Sequence, residues 1–167
     1  MLPIVLNEKA IRVGLVGAGE ALERRRVSLA EAGVTPVLVP LDGSPALTGL
    51  RLLYVAGIPK SQAAKLAAQA RAAGILVNVE DIPELCDFHA PATVRRGDLL
   101  VTVSTGGRAP GLARLIRQWI SARLGSEWSH QLDAVSQRRA TWRAEGLSPS
   151  DVSQRLRAFV SERNWLP

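Results

Sequence analysis

The chain has few of the residues that would define a disulfide-bonded, membrane-spanning or metal-binding protein. Cys86 is its one cysteine, so no internal disulfide can form, and we expect a cytoplasmic location. Cys86 and the two histidines are fewer than the four Cys or His ligands of a closed structural metal site, so we predict no metal ligands. No apolar run approaches the roughly 20 residues of a membrane span. The first residues also lack the basic-then-apolar pattern of a signal peptide, so we expect no membrane partner.

Aromatic residues are scarce as well, at 4% of the chain, with one Tyr and two Phe. A net charge of +6 is compatible with nucleic-acid binding, but the arginines are mixed with acids and few rings are available for base stacking. We therefore predict no nucleic-acid partner. Arginine also suits carboxylates, which leaves a polyanionic small molecule or an ordinary solvated surface as explanations of the charge.

A glycine-rich turn lies near the start of the chain. The apolar run from Val13 to Val16 is followed by Gly17, Gly19 and a helical pattern. In a dinucleotide-binding crossover the first glycine allows the turn and the second lets backbone approach a pyrophosphate at the helix N-terminus. Leu22 stands where that motif has glycine or alanine, so an ordinary strand–turn–helix is the alternative.

Apolar strands alternate with helices through the first half of the chain, which predicts a Rossmann-like α/β fold with a parallel sheet. We expect strands over 10–16, 34–40, 50–56 and 75–79, and helices over 20–32 and 61–73, the second capped by Lys60 or Ser61. Ligands of such sheets bind beyond the carboxyl ends of the strands, where Gly17, Asp42, Gly57 and Asp81 fall. Asp42, about 20 residues beyond the glycine turn, suits a ribose hydroxyl, or is an ordinary turn residue.

The second half has a different pattern. We predict irregular chain over 86–93, a turn over 95–98, a strand over 99–104 and a glycine-rich loop over 105–110. A helix to about Leu124 and two further helices over 127–144 and 148–164 follow, the last capped at Ser148.

In this order and spacing, the motifs resemble the precorrin-2 dehydrogenase/sirohydrochlorin ferrochelatase family, which includes the N-terminal module of siroheme synthase. The resemblance spans most of the chain. It rests on Leu2-Pro3-Ile4, the turn Gly17-Ala18-Gly19-Glu20, the motif Asn78-Val79-Glu80-Asp81-Ile82-Pro83 and the run from Ser104 to Arg114.

The resemblance implies an NAD-binding Rossmann-like domain over 1–92, a central segment for homodimer formation over 93–125 and a helical C-terminal domain over 126–167. It implies NAD-dependent oxidation of the tetrapyrrole precorrin-2 to sirohydrochlorin. Many members then insert ferrous iron, so iron is a second expected substrate.

Site residues follow from the same resemblance. It places the catalytic aspartate on Asp81, and His89 lies close in sequence, where it could assist proton transfer, steer iron or be structural. The cofactor contacts are expected from Gly17, Gly19, Glu20, Ala21, Leu41 and Asp42. Tetrapyrrole contacts are expected from Asn78, Thr105, Gly106, Gly107 and Arg108. Precorrin-2 has eight carboxylates, which would give a purpose to the arginines beside these motifs: Arg95, Arg96, Arg108 and Arg114.

Three departures from the family pattern affect the nucleotide half: Leu22, the short connection from Leu41 to Leu50, and the turn Ala56-Gly57-Ile58-Pro59. They leave open a member with eroded NAD binding that acts as a tetrapyrrole-binding protein or a chelatase only. A non-catalytic binding module that uses the arginine surface is the third interpretation.

Overall fold

The computed structural model describes residues 2–41 and 46–166. They divide into two compact units, residues 1–90 and residues 91–167. The predicted division into three functional domains stays a prediction, since the units are defined by compactness alone.

The first unit is an α/β layer structure. In chain order its elements are β1 (Val13–Gly17), α1 (Gly19–Glu31), β2 (Val37–Leu38), β3 (Leu52–Ala56), α2 (Lys60–Ala72) and β4 (Leu76–Val79). The four strands form one parallel sheet in the order β2-β1-β3-β4. This confirms the predicted Rossmann-like architecture.

Both faces of the sheet are buried, which is why its strands are almost continuously apolar. Along β3, Leu53 and Val55 pack in a core cluster with α2, while Leu52 and Tyr54 belong to a second cluster with Leu29 of α1. The alternation follows from the two-residue period of a strand.

Element ends differ from prediction at several places. The first strand begins at Val13 rather than residue 10, because residues 8–10 form a 3₁₀ turn whose start is capped by the Asn7 side chain. At the sheet edge, β2 has two residues where seven were expected. The helix α2 begins at Lys60, directly after Pro59, and has no side-chain cap.

The second unit opens with an antiparallel hairpin of β5 (Ala92–Arg96) and β6 (Leu99–Val103). The prediction missed β5 and assigned its residues to irregular chain and a turn. The pairing of Val94 with Val101 stabilises β5, and such a partner is not visible in a five-residue window. The turn itself is Gly97-Asp98, where Gly97 has the positive φ of +57° that two-residue hairpins favour.

Three helices complete this unit: α3 (Pro110–Ser121), α4 (Trp128–Ala144) and α5 (Pro149–Ser161). The predicted cap of the last helix is confirmed, since the Ser148 hydroxyl accepts from the Asp151 N–H. An edge-to-face aromatic cluster of Trp142, Phe159 and Trp165 packs between α4 and α5. Within the described ranges, no helix has the length and apolar character needed to cross a membrane.

Candidate functional site

The turns after β1 and β3 pack backbone against backbone. A Cβ on Gly17 would collide with the carbonyl oxygen of Ala56, and a Cβ on Gly57 would collide with that of Ala18. The Ala18 N–H donates to the Ala56 carbonyl at 3.1 Å, which joins the two turns. Glycine at both positions is therefore required by packing.

Gly19 has a different environment. It is the first residue of α1, its φ is +64°, and nothing described lies within 4 Å of where its Cβ would stand. The N-cap residue is Ala18, whose side chain has no polar atom to cap the helix. Among the described residues, the first-turn N–H groups are therefore left to bind an anion at the positive end of the helix. The turn is open where a pyrophosphate would approach.

Leu22 does not occupy this turn. Its side chain packs against the second core cluster, which includes Leu15 and Leu29. The extra bulk is therefore absorbed between α1 and the sheet. The departure from the glycine or alanine of the motif leaves the helix N-terminus accessible.

Asp81 lies immediately beyond the carboxyl end of β4, with an exposed side chain. Its φ is +60°, a left-handed conformation that only Asn164 shares among the non-glycine residues described. Such strain is disfavoured for side chains with a Cβ and is concentrated at functional sites. The backbone conformation of Asp81 is an observation separate from the sequence motif, and its catalytic role stays a prediction.

Glu80 connects the Asp81 turn to the start of α1. Its N–H donates to the Val55 carbonyl at 2.9 Å, and its carboxylate lies 3.9 Å from the Arg24 guanidinium. Arg24 also lies 3.8 Å from the exposed carboxylate of Glu20. Arg24 thus lies beside both the first turn of α1 and the residue that precedes Asp81, a position that sequence reasoning missed.

The chain after Asp81 returns along β4 and is held there by side chains. The Cys86 thiol donates to the Val79 carbonyl at 3.1 Å. The Asp87 carboxylate accepts from the Val77 N–H at 2.9 Å, and its own N–H donates to the Val77 carbonyl at 2.7 Å. These contacts close a short loop that contains Asp81.

Two ion pairs tie this loop to α2. Arg71 donates to the Asp87 carboxylate at 2.9 Å and to the Leu85 carbonyl at 2.9 Å. Lys60 pairs with Glu84, and the hydrogen bond from the ammonium lowers the pKa of the Glu84 carboxyl. In the sequence, Asp87 is one acidic residue in a segment predicted to be irregular, and nothing there indicated its contact with Arg71.

Asn78 is buried at 7% exposure, and its amide donates to the Phe88 carbonyl at 2.8 Å. The contact fixes the backbone just before His89, whose side chain is exposed. The predicted contact of Asn78 with substrate stays a prediction. The observed hydrogen bond gives Asn78 a positioning role in this unit.

The second glycine-rich loop lies between β6 and α3. The Thr105 hydroxyl accepts from the Ala109 N–H at 3.2 Å, and Gly106 and Gly107 have φ of +67° and +76°. Arg108 is exposed. The local hydrogen bonds shape the loop and leave the glycine backbone and the Arg108 side chain accessible.

Arg96 has a structural role. Its guanidinium donates to the carbonyls of Leu124 and Ser121 at 2.7 and 3.0 Å, at the C-terminal end of α3. It is therefore not one of the arginines available to substrate carboxylates, whereas Arg95 and Arg114 have exposed side chains.

The remaining predicted residues are placed as follows. Ala21 lies in the first turn of α1 with its Cβ toward Gly57, and Leu41 follows the second strand with 37% exposure. Asp42 lies outside the described residues. In the described part of the chain, no three metal-ligating side chains come together.

Comparison with known proteins gives consistent results. Residues 40–92 match a family described as "Putative NAD(P)-binding". Siroheme synthase of Pseudomonas putida F1 is 35% identical over 176 residues, which cover 84% of this chain and 38% of that protein. Siroheme synthase of Methylococcus capsulatus is 32% identical over 148 residues, covering 76% and 31%. The chain thus spans less than two fifths of the length of these relatives.

A solved structure of SirC, precorrin-2 dehydrogenase, superposes with a TM-score of 0.74 over 100% of this chain and 93% of that one, at 18% identity. The parallel sheet, the open glycine turn and the exposed acid at a strand end define a Rossmann-like α/β module. These similarities support the family predicted from the sequence: the chain is related to siroheme synthases over 76–84% of its length, and it has the fold of SirC, precorrin-2 dehydrogenase.

Proposed function

We propose that this chain oxidises precorrin-2 to sirohydrochlorin in siroheme biosynthesis, with NAD as its cofactor. The observation that supports this best is the pairing of an open α1 N-terminus at Gly19 with a strained, exposed Asp81 in one unit. Both follow the carboxyl ends of strands in the same parallel sheet, where ligands of such sheets bind.

The reaction removes a hydride and a proton from precorrin-2 and forms one new double bond. NAD supplies the hydride acceptor. Asp81 receives the proton, because an exposed carboxylate at this position can act as general base. His89 follows the segment fixed by Asn78 and assists that proton transfer.

The cofactor contacts are proposed at the glycine turn. The free N–H groups of Gly19, Glu20 and Ala21 would bind the pyrophosphate, and Gly17 allows the turn. Leu41 and Asp42 would contact the ribose side of the cofactor. Both lie within residues 40–92, which match the family described as "Putative NAD(P)-binding".

The tetrapyrrole is proposed to contact the second glycine-rich loop, at Thr105, Gly106, Gly107 and Arg108. Arginine forks suit the eight carboxylates of precorrin-2. We also propose a cytoplasmic location and a homodimer. The dimer is supported by an apolar stripe on α3 of side chains that are 36–63% exposed: Leu112, Leu115, Ile116 and Trp119.

NAD titration of the purified chain tests the proposal, with Gly19→Ala as the informative variant. A Cβ at Gly19 would stand where the pyrophosphate approaches, so we expect NAD binding to weaken at least about tenfold. Gly74→Ala is the matched control, because Gly74 also has a positive φ, +72°, and open space around its Cβ position. No binding of NAD to the wild-type chain at millimolar concentration would refute the dehydrogenase.

The second candidate, a chelatase or tetrapyrrole-binding protein without NAD binding, is favoured by the turn Ala56-Gly57-Ile58-Pro59, which differs from the family pattern. Mixing the chain with sirohydrochlorin and Fe²⁺ or Co²⁺ separates the candidates. A siroheme-type absorption spectrum without NAD binding would support this second function, and metal insertion alongside NAD reduction would support both activities.

A further inference from the structure

The net charge of the chain belongs entirely to its second unit. Residues 91–167 contain twelve arginines, no lysine and six acidic residues, while residues 1–90 contain nine basic and nine acidic residues. A planar guanidinium binds a carboxylate through two parallel hydrogen bonds, which an ammonium cannot do. The composition therefore suits bidentate recognition of carboxylate or phosphate groups.

Two of these arginines line an open cavity of about 420 Å³ between α4 and α5. The guanidinium carbon of Arg163 lies 3.7 Å from the centre of the Phe159 ring, and that of Arg138 lies 5.9 Å from it. Trp165 forms a further wall, with its ring edge-to-face with Phe159 at 5.5 Å. The cavity thus combines two positive forks with two aromatic side chains.

Arg163 is held in a fixed orientation. Its guanidinium stacks over Phe159, and its Nη1 donates to the Phe159 carbonyl at 3.0 Å. Stacking uses the face of the guanidinium and leaves the remaining N–H groups at its edge for a ligand. The neighbouring Glu162 carboxylate is 3.7 Å away and 73% exposed, so it competes weakly.

Arg138 extends from α4 toward the same ring. Within residues 2–41 and 46–166, it has no carboxylate at ion-pair distance, in contrast to Arg155, which pairs with Glu145 at 3.4 Å. Its charge is therefore available to a ligand. The cavity therefore suits an anion, with Trp165 as an aromatic wall beside which a conjugated ligand can lie.

We propose that this α4–α5 cavity is a second tetrapyrrole-binding site, which takes one pyrrole edge and its carboxylate arms. The ligand identity rests on the proposed function, which supplies an octacarboxylate tetrapyrrole as substrate. A cavity of this size suits a small ligand, so it holds an edge of the macrocycle rather than the whole. None of its residues is among those assigned to catalysis or cofactor binding.

Uroporphyrin, an octacarboxylate porphyrin, is the probe for this site. Its binding is followed by quenching of tryptophan fluorescence in the wild type, in Arg138→Gln/Arg163→Gln and in Arg139→Gln/Arg157→Gln. The last is the matched control, because it removes two arginines from the same helical pair outside the cavity. We expect Arg138→Gln/Arg163→Gln to raise the Kd of uroporphyrin at least about tenfold, because loss of one hydrogen bond to a charged group weakens binding by about tenfold or more. The control variant should raise Kd less than about twofold.

Circular dichroism confirms that each variant is folded, and Trp165→Phe should reduce the quenching to the part that comes from the remaining tryptophans, of which Trp142 also packs against Phe159. Equal losses in the two double variants, or no quenching of the wild type, would overturn the site. Benzenehexacarboxylate has carboxylate groups but no macrocycle. If it competes for the cavity as strongly as uroporphyrin does, a tetrapyrrole site is overturned as well.

Turnover measured on the same proteins separates this site from the proposed function. Probe binding weakened at least about tenfold in Arg138→Gln/Arg163→Gln, with NAD-dependent oxidation retained, supports both. A wild-type chain that binds the probe through these arginines and oxidises no precorrin-2 refutes the dehydrogenase and supports the site. A chain that oxidises precorrin-2 with identical probe binding in all variants refutes the site alone.

Discussion

Asp81 has a left-handed backbone, with φ of +60°, at the end of β4. A side chain with a Cβ pays about 1 kcal/mol or more in this conformation, and Asp and Asn tolerate it better than most. The surrounding loop, held by Cys86 and Asp87 against β4, imposes the conformation. An exposed acid is therefore retained at a position where glycine would be more favourable for the backbone.

Substitutions of Asp81 separate chemistry from strain. We expect Asp81→Ala, Asp81→Gly and Asp81→Asn all to abolish NAD-dependent oxidation, because each removes the base. Asp81→Gly should be more stable to urea than Asp81→Ala by about 1 kcal/mol, the reverse of their order in a helix. Retained turnover in Asp81→Ala would contradict the catalytic role, and equal stability would contradict the strain.

Tyr54 is the residue at which alkaline pH should affect the first unit. Burial raises the pKa of the Tyr54 hydroxyl above its ordinary value of 10.0, although the Arg25 guanidinium, 5.1 Å from the ring, opposes the shift. Below that value the hydroxyl is neutral in both the folded and unfolded states and makes no pH-dependent contribution.

Above pH 10.0 the unfolded chain loses this proton first, so the free energy of unfolding falls as pH rises toward the folded-state pKa. We expect Tyr54→Phe to be less sensitive to pH in this window than the wild type, as measured by urea unfolding at a series of alkaline pH values. Parallel curves for the two proteins would contradict the prediction.

At this scale the sequence predicted which residues lie at strand ends, because glycines and acids follow apolar runs there. The sequence could not reveal that the side chains of Asn78 and Arg96 donate hydrogen bonds to backbone carbonyl groups of the protein itself. Those roles depend on the Phe88 carbonyl and on the end of α3, which are 10 and 25–28 residues away in the chain.

Secondary-structure elements were predicted well where one element contains its own signal. The buried strands, the capped α5 and the alanine-rich α2 are examples. The hairpin strand β5 was missed because its stability depends on pairing with β6. Residues 86–88 were expected to be irregular, although four side-chain contacts order them.

The C-terminal end of α3 depends on one side chain from β5. Arg96→Met should lower the free energy of unfolding by about 2 kcal/mol, because several charged hydrogen bonds to carbonyl oxygens are lost and those carbonyls stay partly buried. Arg95→Met is the control, since it removes the same charge from the adjacent exposed side chain. Thermal unfolding of both variants tests this, and equal shifts would contradict the capping role.

At the scale of the whole molecule, the sequence predicted the parallel sheet and the family. The unequal distribution of charge between the two units was not predicted, because the net charge of +6 does not show that residues 91–167 contain all of it. The sequence also did not predict that the apolar stripe of α3 would stay exposed, because a helical period indicates a packed face without saying what packs on it.

Leu115 is the most exposed residue of that stripe, at 63%. If a second copy covers it, Leu115→Glu should convert a dimer into a monomer, because a carboxylate would be buried without a partner. Arg114→Gln lowers the net charge by the same unit at an exposed position of α3 outside the stripe and should leave the dimer intact. Sedimentation velocity distinguishes these outcomes, and a monomeric wild type would refute the dimer.

The interlocked turns at Gly17 and Gly57 have an evolutionary consequence. Each glycine is required by the backbone of the other turn, so a descendant that lost its cofactor would still retain both. Among the described residues nothing lies within 4 Å of a Cβ at Gly19, so the one local constraint on Gly19 is its own φ of +64° and no other turn requires it. Across homologues, substitution at Gly19 with Gly17 and Gly57 unchanged would therefore mark the lineages in which nucleotide binding has been lost.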